Sequence, residues 1–197
     1  MATDRRSWAS GAGFAAEATP VPQGREEVSH VPLLASHKGT QPDLILRWND
    51  MRQVPAEVDV VVHLHGYSCV GEDMSLVIDQ EPRSGLDFSD PDAPATPGRA
   101  VPTLGLLPRG SFGGGRRYTF PALTTRTGLD DLVHFGLERF GRRLGVRDIR
   151  VRRRILTAHS GGGQALVDIL VTPTRTRSIF STRCTVTRTT RTSTTGI

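Results

Sequence analysis

An α/β domain with a mostly parallel sheet and flanking helices is the fold class this sequence predicts, and three observations predict it. Val58-Asp59-Val60-Val61-Val62-His63-Leu64 is β-branched and almost continuously apolar, the pattern of a strand buried on both faces, as in a sheet covered by helices. Val101 to Leu107 and Arg152 to Ala158 read as two further strands. Between them Leu129, Leu132, Val133, Gly136, Leu137 and Phe140 recur at helical spacing, which predicts a helix from about Gly128 to Leu144, closed at Gly145.

Taken in order, the 197 residues suffice for one domain with a sizeable core. Residues 1–27 read as a flexible arm, extended at Thr19-Pro20-Val21-Pro22 and lacking the dense apolar segment of a signal peptide. The domain proper is expected over 28–171. Val28 to Leu34 and Leu44 to Trp48 predict an antiparallel hairpin around Gly39, Gln41 and Pro42. Residues 71–100 are rich in carboxylates, prolines and glycines, which predicts one short helix near Met74–Ile78 and otherwise a long loop of the lid or binding type. Arg109, Arg116 and Arg117 are able to bind an acidic substrate, but such a cluster is more often solvated surface.

Several classes are disfavoured by composition. No apolar run approaches the ~18 residues of a membrane span, so no membrane partner is expected and the chain reads as cytoplasmic. Two cysteines, Cys69 and Cys184, imply neither a disulfide framework nor a metal cluster. The net charge of +5 is local. Five of the 25 basic residues, and none of the 20 acidic ones, follow Val171, so residues 1–171 are electrically balanced. A nucleic-acid partner for the whole protein is therefore not expected.

Residues 172–197 alternate Thr and Arg without apolar periodicity. One reading is a basic, disordered tail. The other is an out-of-frame product. Threonine codons are ACN and most arginine codons CGN, and reading them two nucleotides on yields Asp, His, Pro and apolar letters. One permitted translation contains Val-His-Ile-Phe, an apolar strand followed by a turn. On that reading the chain is truncated or frameshifted after 171.

Arg154-Ile155-Leu156-Thr157-Ala158-His159-Ser160-Gly161-Gly162-Gly163-Gln164-Ala165-Leu166-Val167 is the stretch with chemistry in it. An apolar strand leads into a serine flanked by small residues, and a helical pattern, Gln164 to Leu170, leads out. This is the pattern of a nucleophile elbow, a strand–turn–helix whose serine sits at the apex. Ala158 and Gly162 occupy the two positions that must be small. The sequence lacks the lysine of a phosphate-binding loop, so a nucleotide reading is weak. Acyl transfer at a serine also needs two N–H donors for the tetrahedral oxyanion. One is expected from Gly161. The other is expected from Tyr67, in His65-Gly66-Tyr67-Ser68 after the 58–64 strand, where Gly66 permits close approach.

His63 and His65 carry a rival reading, because H-x-H at a strand end places both rings on one face, as a metal site would. Only His134 and His159 follow, with no accompanying carboxylate motif, so no metal or other cofactor is expected. His63 reads as a packed strand histidine and His134 as surface or packing. Arg152–Arg154 fall at the end of their strand away from the serine. Asp168 lies along the helix, pointing away.

Val-Val-Val-His-Leu-His-Gly-Tyr-Ser, then Leu-Gly-Leu-Leu-Pro-Arg-Gly, then a helix, then Ile-Leu-Thr-Ala-His-Ser-Gly-Gly-Gly together resemble the N-terminal half of an α/β-hydrolase, over residues 28–171. The resemblance implies a partial α/β-hydrolase fold, Ser160 as nucleophile, an oxyanion hole from Tyr67 and Gly161, and a small-molecule ester or amide substrate. In that family the acid and the histidine follow the serine. Here no histidine follows Ser160, and Asp168 is the sole carboxylate. The expectation is a serine hydrolase impaired in this chain, with His65 the one candidate for the missing base. The alternatives are a non-enzymatic protein whose basic tail binds nucleic acid, and a metal-dependent hydrolase using His63 and His65.

Overall fold

The computed structural model describes residues 19–67, 71–88, 101–113 and 118–172. The 172–197 stretch beyond Thr172, Cys69, Cys184, Arg116 and Arg117 lie outside the described residues.

A five-stranded sheet has the order β1 (Gly24–Val28), β2 (Leu44–Trp48), β4 (Thr103–Pro108), β3 (Glu57–Leu64), β7 (Arg150–Ala158). A separate two-stranded ribbon pairs β5 (Ser111–Phe112) with β6 (Tyr118–Thr119). β3 runs parallel to both β4 and β7, as the sequence predicts. β1–β2 and β2–β4 are antiparallel, so the sheet is mixed and not mostly parallel. Connection length explains the direction of β2 relative to β3 and β4. The short link from Trp48 to Glu57 only reverses the chain, whereas parallel neighbours need a crossover of a dozen residues or more. The links from β3 to β4 and from β4 to β7 are long enough.

α1 (Gly128–Leu144) has the predicted boundaries. Asp130 and Asp131 sit in its first turn and Arg142 and Arg143 in its last, matching the helix dipole. It stops at Gly145, whose φ of 71° is left-handed. α2 (Gly162–Val171) follows β7.

Both helices cover the same face of the sheet. Val60, Val62, Leu64, Leu104 and Leu106 pack there against Leu132, Val133 and Phe140 of α1 and Leu166 and Ile169 of α2. The opposite face, with Ile45, Val61 and Leu107, is covered by Met74, Leu76, Leu86 and Phe88. These belong to 71–88, a run of short turns centred on a π-helical segment, Leu76–Gln80, where the sequence suggests a short helix near 74–78. Glu81 pins this segment to the sheet through Arg25 (2.7 Å) and Arg47 (3.2 Å).

Two boundaries differ from expectation. The first strand starts at Gly24, inside the expected arm, and Val21 already bridges to Met51. Pro32–Leu34, expected to end that strand, is a 3₁₀ turn, since Pro32 supplies no N–H for a ladder.

The topology fixes where a site belongs. The chain leaves β3 for β4 on one side and returns to β7 on the other. β3 and β7 are parallel neighbours, so the loops leaving their C-terminal ends emerge side by side at one edge of the sheet.

Candidate active site

His159, Ser160 and Gly161 make the turn from β7 into α2. Ser160 adopts φ 49°, a left-handed value uncommon for a residue with a side chain and costing of order 1 kcal/mol or more. The turn is closed by Gly162 N–H to His159 O (3.0 Å) and Gly163 N–H to Ser160 O (3.1 Å). The His159 N–H donates to Leu64 O (3.0 Å), extending the β3–β7 ladder to the edge of the turn.

The loop leaving β3 lies directly on this turn. A Cβ placed on Gly162 would sit 2.3 Å from Leu64 O and 2.7 Å from His65 O. One placed on Gly66 would sit 2.8 Å from both Ser160 Cβ and His159 O. Only glycine fits either position. A Cβ on Gly161 would lie 3.8 Å from the Tyr67 nitrogen. An amide nitrogen is ~2.5 Å from its own Cβ position, so the Tyr67 and Gly161 amides are within about 6 Å of each other. That separation lets both reach one oxygen at ~3 Å. Among the described residues neither amide donates a hydrogen bond. Ser160 and His159 are exposed, Tyr67 and Gly161 are half-buried, and Gly66 and Gly162 are buried where the two loops meet.

No family model, no curated protein and no solved structure matches this chain. The chemistry of the site therefore rests on its own geometry.

The histidines are mostly spoken for. His65 is 1% exposed, with Nδ1 2.9 Å from Gly66 O and Nε2 accepting the Gly110 N–H at 2.8 Å. Burial holds its pKa down at about 4. With both nitrogens bound to backbone it is not the base for Ser160, which corrects the sequence-based candidate. The same two bonds remove it as a metal ligand. His63 is buried on β3 with Nδ1 2.9 Å from Thr157 Oγ1, and burial likewise depresses its pKa to about 4. Among the described residues no group of three His, Cys, Asp or Glu is arranged to hold a metal. His134 is on the surface of α1, 3.7 Å from Glu138. Asp168 accepts from Gln164 on α2. Among the described residues no histidine or carboxylate hydrogen-bonds to Ser160.

Arg109 is neither solvated surface nor a substrate anchor. It is 4% exposed, its Nη2 lies 2.5 Å from Asp43 Oδ1, and its Nη1 donates to Gly39 O at 2.5 Å. The Asp43 contact is close but poorly aligned, leaving Asp43 Oδ1 and Arg109 Nε without a well-formed hydrogen bond. His37, which sequence reasoning passed over, is buried beside it. Its Nδ1 lies 2.6 Å from Arg109 O and its Nε2 accepts from Ala122 N–H at 3.2 Å. Burial lowers its pKa. Next to Tyr67 an aromatic group forms, with Tyr118 6.4 Å from the Tyr67 ring and 5.7 Å from Phe112. The Tyr118 hydroxyl donates to Gly71 O.

Arg152–Arg154 are structural. A bulge between Val58 and Asp59 lets both Arg152 and Arg153 reach the buried Asp59, each with a contact at 2.8 Å. Burial alone would raise the Asp59 pKa, but hydrogen bonds from the two guanidinium groups outweigh it and lower it. Arg154 pairs with Asp130 of α1.

Proposed function

We propose that this chain carries the nucleophile and oxyanion hole of a serine hydrolase of α/β-hydrolase type, acting on a small ester or amide. The observation that carries this reading is the left-handed Ser160 between β7 and α2, with the Tyr67 and Gly161 amides, which have no partner among the described residues, beside it. Backbone strain of this kind clusters at functional sites, which favours a functional Ser160.

The chemistry follows from the geometry. Ser160 Oγ attacks the carbonyl carbon, and the carbonyl oxygen takes up negative charge between the two amides. Such donors stabilise the transition state by about 3–4 kcal/mol each. The tetrahedral adduct collapses to an acyl-serine and expels the alkoxide or amine, which takes a proton. Water then attacks the acyl-serine and returns the carboxylic acid and free serine. The Ser160 hydroxyl proton must leave in the first step, and a base within about 2.6–3.2 Å normally accepts it. No described residue does so, and solvent is then the acceptor. Acylation is slow, and deacylation, which needs water activated, is slower.

The test is a burst experiment with p-nitrophenyl acetate in excess. Release of about one equivalent of p-nitrophenolate, followed by turnover barely above background and abolished by Ser160→Ala, is the expected outcome. Robust turnover that survives Ser160→Ala would overturn the reading.

A further inference from the structure

We propose that His65 is a positioning residue, which holds the Gly66–Tyr67 peptide so that the Tyr67 N–H faces the Ser160–Gly161 turn. The inference rests on the reading of Ser160 above and adds a role to a residue that does not touch the reacting atoms.

In a planar trans peptide the C=O of one residue and the N–H of the next point in opposite directions. Whatever fixes the Gly66 carbonyl therefore fixes the Tyr67 N–H. The atom next to that carbonyl is His65 Nδ1, at 2.9 Å. The second ring nitrogen decides what Nδ1 does. Nε2 lies 2.8 Å from the Gly110 amide, a group that only donates, so Nε2 carries the lone pair and the proton is on Nδ1. Nδ1–H then donates to Gly66 O. One tautomer satisfies both bonds, and the other satisfies neither.

The ring has little freedom to turn. It is fully buried, with edge contacts to Tyr118 at 5.0 Å and Phe120 at 5.2 Å. Its anchor at Gly110 is held in turn. The Arg109 N–H donates to Asp43 O at 2.7 Å, the Arg109 carbonyl is bound by His37, and the Arg109 side chain is tied to Asp43 and Gly39. Three loops, 37–43, 65–67 and 109–110, are thus clasped through two neutral histidines. Without the clasp the Gly66–Tyr67 peptide is free to flip, because glycine tolerates either orientation. A flipped peptide presents a carbonyl oxygen to the site, which would repel an oxyanion and not hold it.

His65→Asn and His65→Gln separate positioning from bulk packing. Asn keeps an N–H donor near the Nδ1 position, whereas Gln moves it one bond further out. The readout is the second-order rate constant for phosphonylation of Ser160 by a fluorophosphonate, with thermal unfolding of each variant alongside. H65N should react within about 5-fold of the parent, and H65Q should lose about 100-fold or more, the usual cost of one oxyanion donor. Equal rates in all three proteins, or an equal loss in both variants, would overturn the proposal. If neither variant folds, long-range ¹H–¹⁵N correlation of the unmodified protein decides, since a proton on His65 Nε2 contradicts the clasp. Failure of the parent protein to label at all removes the reading of Ser160, whereas labelling indifferent to His65 removes only the clasp.

Discussion

The two ends of the parallel strands treat polar groups in opposite ways. At the start of β3 and β7, charge is matched by charge. The Asp59 carboxylate is wholly buried and holds Arg152 and Arg153, and Glu57 meets Arg150 at 3.0 Å. At the finish, the Tyr67 and Gly161 amides have no partner among the described residues, and Ser160 sits in a strained conformation. One end is stabilised by saturated hydrogen bonding. The other leaves donors aimed at solvent, which is costly unless a ligand takes them. Charge alone does not mark this difference, since the basic run Arg152–Arg154 lies at the saturated end.

Acid should separate the two ends with the largest effect. His63 and His65 stay neutral in the folded protein down to about 4, whereas an unfolded histidine protonates near ~6.5. Folded pKa values below the unfolded ones mean that unfolding takes up protons, so stability falls as pH drops from about 6.5 towards 4. His37, also shifted down, adds to this. Together they should cost several kcal/mol over that window. Asp59 is shifted in the same direction, but its loss falls in a lower pH window. Its folded pKa is lowered, so its contribution persists until the pH falls below the ordinary carboxylate range. Amide exchange at pH 5 should accordingly rise first in 63–67 and 109–110. Earlier loss of protection around Asp59 would break the comparison.

Substitutions sharpen it further. Gly162→Ala should destabilise by about 3 kcal/mol, because its Cβ meets two backbone carbonyls that cannot move aside. A denaturant midpoint unchanged from the parent would mean that β3 and α2 do not approach so closely. At the other end Asp59→Ala should cost about 2 kcal/mol, less than breaking a fully buried pair. The Arg152 and Arg153 side chains are 37% and 46% exposed and can rehydrate. Smallest, and opposite in sign, is Ser160→Gly. Relief of the left-handed serine should stabilise by about 1 kcal/mol, or ~2–4 °C in Tm.

Much of this was legible locally and little of it non-locally. The helix at Gly128–Leu144 and the strand at Glu57–Leu64 are written in apolar periodicity, and the elbow in three small residues around Ser160. β1 was not legible, because Gly24-Arg25-Glu26-Glu27 has no apolar alternation. It is an edge strand secured by ion pairs, Arg25 with Glu81 and Glu26 with Arg139. Arg109 was misread for a related reason. Its burial is set by Asp43, distant in sequence, and a charged residue with no visible partner reads as surface. His65 shows the same limit. Its position at the start of the loop after β3 is evident from the His-Gly pair, but its bond to the Gly110 amide is not, and that bond decides that it cannot accept a proton from serine.

The central claim is that Ser160, and no other serine, is the nucleophile. It is tested most directly by fluorophosphonate treatment of the folded chain, followed by proteolysis and mass spectrometry of the modified peptide. The account predicts slow, single-site addition on the peptide carrying Ser160, lost on heat denaturation before treatment. Modification spread over Ser75, Ser84 or Ser111, or equal labelling of the denatured chain, would contradict it.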